Sequence, residues 1–94
     1  MNEVFRALGD PTRREILQLL KRRDLTAGEI AERFPLAKST LSGHFTVLKH
    51  AQLIVAERRG TTIVYSLNLS ALEEALSVAI EMLSHRRTRK ERAR

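Results

Sequence analysis

The sequence predicts a mainly α-helical domain carrying one small β-hairpin, and three observations predict it. Apolar residues recur at helical spacings of three and four from Val4 to Leu48. Between Ile54 and Leu67 the period changes to two, and β-branched residues become dense. From Leu69 to Leu83 the helical spacing returns. A chain of 94 residues has room for one domain, whose core stays modest unless a second copy adds to it.

Met1, Val4, Phe5 and Leu8 make an apolar stripe of about two turns, and Gly9 ends that helix at its C-terminal cap. Asp10-Pro11 opens the next helix. Asp10 offers a side-chain acceptor to orphan N–H groups, and Pro11 sits where its missing donor costs nothing. Ile16, Leu17, Leu19 and Leu20 give this helix its buried side, and it stops near Arg22 to Asp24. Thr26-Ala27-Gly28-Glu29 has the spacing of a capping box. It starts a short third helix, running to about Arg33, with Ala27, Ile30, Ala31 and Phe34 inward. Pro35 interrupts it, because a proline pushes the preceding residue out of the α region. A fourth helix begins near Lys38. At 100° per residue, Ala37, Leu41, Phe45, Leu48 and Gln52 fall on one stripe, with Ser39, Gly43, Thr46 and His50 opposite. Val55, Thr61, Thr62, Ile63 and Val64 mark the hairpin, with Arg58-Arg59-Gly60-Thr61 as its basic turn. Leu69, Leu72, Leu76, Ile80 and Leu83 form the stripe of the last helix, capped by Asn68 or Ser70.

The formal net charge of +6 points to an anionic partner, but its distribution matters. The stretch from Arg86 to Arg94 holds six Lys or Arg and one Glu, so it carries +5 and leaves +1 for the remainder. Residues 1–85 therefore read as the folded unit and residues 86–94 as a basic tail, and charge alone does not establish nucleic-acid binding. The chain has no cysteine, which excludes disulfides, thiolate metal sites and thiol catalysis. The first 15 residues lack a sustained apolar segment with a cleavage site, and no run approaches the roughly 18 apolar residues of a membrane span. A cytoplasmic protein is expected. Paired carboxylates on an apolar cleft and glycine-rich phosphate loops are missing, and the histidines are scattered, so neither an enzyme with a small-molecule substrate nor a cofactor site is expected.

Two short helices joined by about four turn residues, the second with a small polar outer face, make a helix-turn-helix, and a hairpin directly after it makes the unit winged. Such a helix suits the major groove of duplex DNA, where bulky residues near its start would hold it away from the base edges. Ser39, Thr40, Ser42, Gly43 and Thr46 are all small. Gly43 in mid-helix costs about 1 kcal/mol relative to alanine; close approach to DNA is one account of it, and close packing against protein or plain drift is the other. His44 lies about 60° from the core stripe, as a hydrogen-bonded surface histidine that can still donate to a phosphate. Lys38 and Lys49 flank the helix and can bind phosphates, and Arg58 and Arg59 at the hairpin can reach the backbone or minor groove. Val4, Phe5, Leu72, Leu76, Ala79, Ile80 and Leu83 on the terminal helices would largely meet water in a lone chain. A two-fold homodimer through them covers that surface and sets two reading helices about 34 to 36 Å apart, matched to an inverted-repeat operator. A winged helix used only for protein contacts is the rival reading; its polar outer face argues against it.

Three ordered stretches carry a resemblance: Ala7 to Leu17 (ALGDPTRREIL), Ser39 to Leu48 (STLSGHFTVL) and Arg59 to Leu67 (RGTTIVYSL). In them the chain resembles the ArsR-type winged helix-turn-helix repressors, over about Asn2 to Leu83. The resemblance implies an α-α-α-α-β-β-α dimer, with the first and last helices at the interface. It places Lys38, Ser39, Thr40, Ser42 and Gly43 at the base-reading positions, where Gly43 departs from the larger polar residue of many members. Family sensors of soft metals use third-helix cysteines, which are missing here. The zinc-type site between the last helices has no counterpart beyond Glu73, Glu74, Glu81 and His85, so a metal-sensing repressor would need a non-standard site. The opening residues Met1 to Leu8 and the ending without metal ligands are similar to the autorepressors of the sporulation-delay immunity type. That similarity implies control of its own operon and release through a membrane-embedded anti-repressor protein.

Overall fold

The computed structural model describes the backbone of residues 2–92 and the side chains of residues 2–84. Along it run α1 (Asn2–Leu8), α2 (Pro11–Arg22), β1 (Leu25–Thr26), α3 (Ala27–Ala31), α4 (Lys38–His50), β2 (Ile54–Arg59), β3 (Thr62–Leu67) and α5 (Leu69–Arg92). The tail expected from residue 86 onward therefore begins inside α5; its side chains lie outside the described residues. Among the described residues no helix is long and apolar enough to cross a membrane.

The local signals act where the sequence puts them. Asp10 caps α2, its Oδ2 accepting from Arg13 N at 3.1 Å, and Pro11 opens the helix. That N–H bond holds the Asp10 carboxyl below its ordinary range, and the charge of Arg13 adds to the effect. The capping box at Thr26 is complete: Oγ1 accepts from Glu29 N at 3.0 Å, and Glu29 Oε1 accepts from Thr26 N at 2.9 Å. The end of α1 is closed differently from a lone glycine cap. Gly9 N donates to Arg6 O at 3.1 Å, while the Arg13 and Arg14 guanidinium groups take the Arg6, Ala7 and Leu8 carbonyls. These carbonyls have no partner within the helix, so two charged donors from α2 weld the first two helices together.

Three boundaries differ from the sequence expectation. α3 ends at Ala31, two residues early, and passes into a tight turn in which Arg33 N and Phe34 N bond back to Ile30 and Ala31. Ala37 precedes α4 in extended conformation and is exposed, so it belongs to no buried stripe. Gln52 also leaves the stripe: it adopts φ 59° just beyond the helix. Its N–H bonds to Lys49 O and that of Leu53 to Leu48 O, the paired bonds that close a helix through a left-handed residue. The reversal swings Leu53, fully buried, into the place that helical spacing assigns to Gln52. Asn68 is expected as a cap, and its side-chain amide donates to Gln52 O at 2.8 Å, pinning this corner to the start of α5.

β1 is a strand that sequence period could not show, since two residues carry no alternation. It joins a three-stranded antiparallel sheet of order β1-β3-β2. The register pairs Leu25 with Tyr65 on one side and Ala56 with Tyr65 on the other, so Tyr65 lies at the centre of the sheet. Its ring stacks on Phe45 of α4 with centroids 4.5 Å apart and planes 27° from parallel. Around this pair the core gathers Ile16, Leu17 and Leu20 of α2, Ile30 of α3, Leu41 and Leu48 of α4, and Leu53. α5 meets the core through Ala75, which is 2% exposed, with Ala71 and Leu72 packed half-buried beside it, and leaves Leu76, Ile80 and Leu83 exposed.

Burial raises the pKa of Tyr65, the single tyrosine of the chain, because the phenolate cannot be solvated against the core. A raised native value contributes stability that is complete below the unfolded value of about 10 and disappears as pH climbs through the native one. Absorbance titration at alkaline pH should show this phenol ionising later than free tyrosine, together with loss of the fold. Ionisation at the free value with helix content unchanged would contradict the placement of the ring.

Candidate nucleic-acid interface

α4 is oriented from inside. Leu41, Phe45 and Leu48 are buried along one side, and the stack on Tyr65 fixes the rotation of the helix about its own axis. The opposite side is thereby turned to solvent, and Ser39, Thr40, Ser42, Gly43 and Thr46 are exposed there, with Lys38 and Lys49 exposed on its flanks. Among the described residues neither Lys38 nor Lys49 is held in an ion pair, so both ammonium groups are available to an anion. α3 packs against β1 and β3, held by its capping box and by Ile30, which is fully buried.

The structure removes packing within the chain as an account of Gly43. A Cβ built at Gly43 would meet nothing within 4 Å, so no packing contact inside the chain requires the glycine. The space it leaves faces outward. Thr46 is less free than its type suggests, because its hydroxyl donates to Ser42 O at 3.0 Å and keeps only acceptor capacity for a partner. His44 turns partly inward, with its side chain 15% exposed. Its Nδ1 lies 3.2 Å from Arg13 Nη1 and 3.9 Å from Asp10 Oδ2. Sequence reasoning passed over Arg13. The cap signal located its backbone N–H, but nothing in a linear pattern shows a side chain reaching back to α1 and across to α4.

The wing is tighter than the four-residue turn that sequence suggests. β2 runs through Arg59, and the loop is only Gly60-Thr61, with φ 64° at Gly60 and a negative φ at Thr61. Positive φ at the first loop residue alone is the II′ hairpin pattern, which asks for glycine there. Because strand side chains alternate, Arg58 and Arg59 leave opposite faces of the hairpin. Arg58 shares a face with Ile63. Arg59 shares the other with Glu57 and pairs with it at 3.2 Å, which offsets part of its charge.

The terminal helices divide the expected interface set. Val4 is 7% exposed and belongs to the core of its own chain, and Leu72 and Ala79 are half-buried. Phe5, Leu76, Ile80 and Leu83 remain open, at 46%, 59%, 52% and 65% exposure. Among the described residues no three His, Asp or Glu side chains gather as a metal ion would require.

Comparison with known proteins agrees with this architecture. Residues 10–55 match the family described as "Bacterial regulatory protein, arsR family". The chain is 45% identical over 84 residues to the transcriptional repressor SdpR of Bacillus subtilis, covering 89% of this chain and 93% of that protein. It is 33% identical over 73 residues to the arsenical resistance operon repressor of Staphylococcus xylosus, covering 78% and 70%. Among solved structures, an ArsR-like transcriptional regulator from Rhodococcus sp. RHA1 superposes with a TM-score of 0.81 at 29% identity, covering 98% of this chain and 86% of that one. The crystal structure of M. tuberculosis Rv0081 gives 0.68 at 34% identity, covering 99% and 93%. Shared sequence over nearly the whole length, and the same succession of helices and wing, establish that this chain belongs to the ArsR family of bacterial regulatory proteins.

Proposed function

We propose that the chain is a transcriptional repressor that binds an inverted-repeat operator in duplex DNA as a homodimer, without a metal effector. The observation that carries this reading is the exposed face of α4: small hydroxyl residues around a glycine with open space beyond it, flanked by two uncommitted lysines. Lys38, Ser39, Thr40, Ser42 and Gly43 read base edges in the major groove. His44, Thr46, Lys49, Arg58 and Arg59 hold the phosphate backbone on either side. The relationship to SdpR, named as a transcriptional repressor, supports the direction of control. Likeness to the sporulation-delay autorepressors extends the reading to its own operon, with release by a membrane-embedded anti-repressor protein.

The homodimer forms through α1 and α5, where Phe5, Leu72, Leu76, Ala79, Ile80 and Leu83 of two copies cover one another while Val4 supports them from within. A chain without cysteine supports control that does not pass through a soft metal. Residues 1–85 act as the DNA-binding and dimerisation unit, and the basic tail from 86 adds sequence-independent attraction to phosphate.

Selection of bound fragments from random and genomic DNA by the purified protein tests the whole reading. The expected result is an inverted repeat preferred over scrambled DNA by roughly 10³-fold or more, weakened by salt and unaffected by chelator. Equal binding to every fragment would remove sequence-specific repression. Gly43→Ala gives a sharper test, because its two effects have opposite sign. It should raise stability to urea by about 1 kcal/mol, since alanine suits the helix and meets no clash, while lowering operator affinity by crowding the groove. A more stable variant that binds as tightly as the parent would dismiss close approach as the reason for the glycine. Leu76→Glu or Ile80→Glu should convert the dimer to monomer in sedimentation and abolish tight operator binding; a variant that still sediments as a dimer places the interface elsewhere.

A further inference from the structure

We propose that Arg13 is a positioning residue for the DNA-facing side of α4. It holds His44 as the neutral tautomer with its proton on Nε2, and so fixes a hydrogen-bond donor for a backbone phosphate beside Thr40. The phosphate role rests on the DNA-binding reading above; the tautomer does not.

Arginine can only donate at such a contact. Its guanidinium has five N–H donors, no acceptor, and stays charged in any accessible range. With Arg13 Nη1 at 3.2 Å from His44 Nδ1, that ring nitrogen is the acceptor and carries no proton, which leaves the proton of a neutral imidazole on Nε2. Two further bonds hold the guanidinium in place: Nε donates to Ala7 O at 2.9 Å and Nη2 to Arg6 O at 2.9 Å. The Ala7 carbonyl at the end of α1 takes its donor from Arg13, and the Arg6 carbonyl accepts from Arg13 as well as from Gly9 N, so the fork is anchored before His44 is considered. The charged groups recorded around the imidazole are Arg13 itself and Asp10, whose Oδ2 accepts from Arg13 N at 3.1 Å and lies 3.9 Å from Nδ1. A planar fork can serve three acceptors in fixed directions; an ammonium at the end of a flexible stem cannot hold the same three.

The other ring nitrogen is free to act. Among the described residues His44 has no hydrogen bond beyond Nδ1, yet no buried side-chain nitrogen or oxygen lacks a partner. Nε2 therefore reaches solvent. His44 follows Thr40 by one helical turn, so its N–H emerges beside a residue of the reading face. A residue of α2 thus sets the donor pattern on α4, and the α1–α2 junction is coupled to the DNA-facing surface through one guanidinium.

Long-range ¹H–¹⁵N correlation spectra of the full chain, at about pH 8 where histidine is neutral, read the tautomer directly. His44→Asn assigns the signals and retains an acceptor near the Nδ1 position while removing the Nε2 donor. The parent should show His44 with unprotonated Nδ1. Arg13→Lys should shift His44 toward the Nδ1–H form and weaken operator binding about tenfold, and His44→Asn should weaken binding by about as much without loss of thermal stability. Arg14→Lys, altering an arginine whose recorded bond goes to Leu8 O, should leave tautomer and affinity as in the parent. A parent spectrum showing protonated Nδ1, or an Arg13→Lys spectrum identical to the parent, would overturn the assignment of Arg13. Unchanged affinity in His44→Asn would overturn the phosphate contact alone. A parent with the Nε2–H tautomer but no preferred DNA site would retire the DNA reading, and the phosphate contact with it.

Discussion

Phe45 and Tyr65 stack face to face at the point where helix and sheet meet, and most of the molecule takes its orientation from that contact. Tyr65 sits on the middle strand, opposite Leu25 of β1 and Ala56 of β2. Whatever holds Tyr65 therefore holds both the strand that leads into α3 and the strand that becomes the wing. Phe45 lies midway along α4, between Leu41 and Leu48, so the same ring pair sets the rotation of the helix. Two aromatic rings bury roughly 150 to 250 Å² each, a large share of what so small a core can offer, and stacking adds direction to a force that otherwise has none. The polar face of α4 points outward because its apolar face has one place to go.

The terminal helices obey a different constraint. α5 contributes one small, fully packed residue, Ala75, to the core of its own chain and leaves Leu76, Ile80 and Leu83 open, with Phe5 of α1 beside the same problem. A chain this size has too little interior to take both sides of a long helix. Its apolar surplus is the physical basis for reading α1 and α5 as the surface on which two copies meet. At the other end of α1 the demand is polar: three carbonyls without helical partners recruit the guanidinium groups of Arg13 and Arg14. The consequence reaches α4, because one of those arginines has a donor left for His44.

Much of the fold was legible in the residues themselves. The helices and the hairpin appear where spacing placed them, and the Asp10 cap and Thr26 capping box form as their residue types require, since each is a local event within four residues. The errors share a cause. β1 is two residues long and exists only because β3 lies alongside; Gln52 leaves its stripe because the chain must turn for Leu53 to be buried. The wing shortened for a related reason: Arg59 pairs with Thr62, and cross-strand bonding extended β2 through a residue whose type suggested a turn.

The candidate site divides along the same line. Small hydroxyl residues, the glycine and the flanking lysines of α4 could be read as one outward face from a period of 3.6, because helical geometry fixes which residues share a side. The sequence also determined that no thiol chemistry is available and that the terminal helices carry more apolar surface than a lone chain of this length can bury. Only the tertiary structure decided that Gly43 faces open space, that Val4 belongs inside its own chain, that Arg58 and Arg59 part company at the wing, and that Arg13 reaches His44. Each of these depends on what stands opposite a side chain across a distance in sequence. Periodicity assigns a residue to a face; packing alone determines what that face meets.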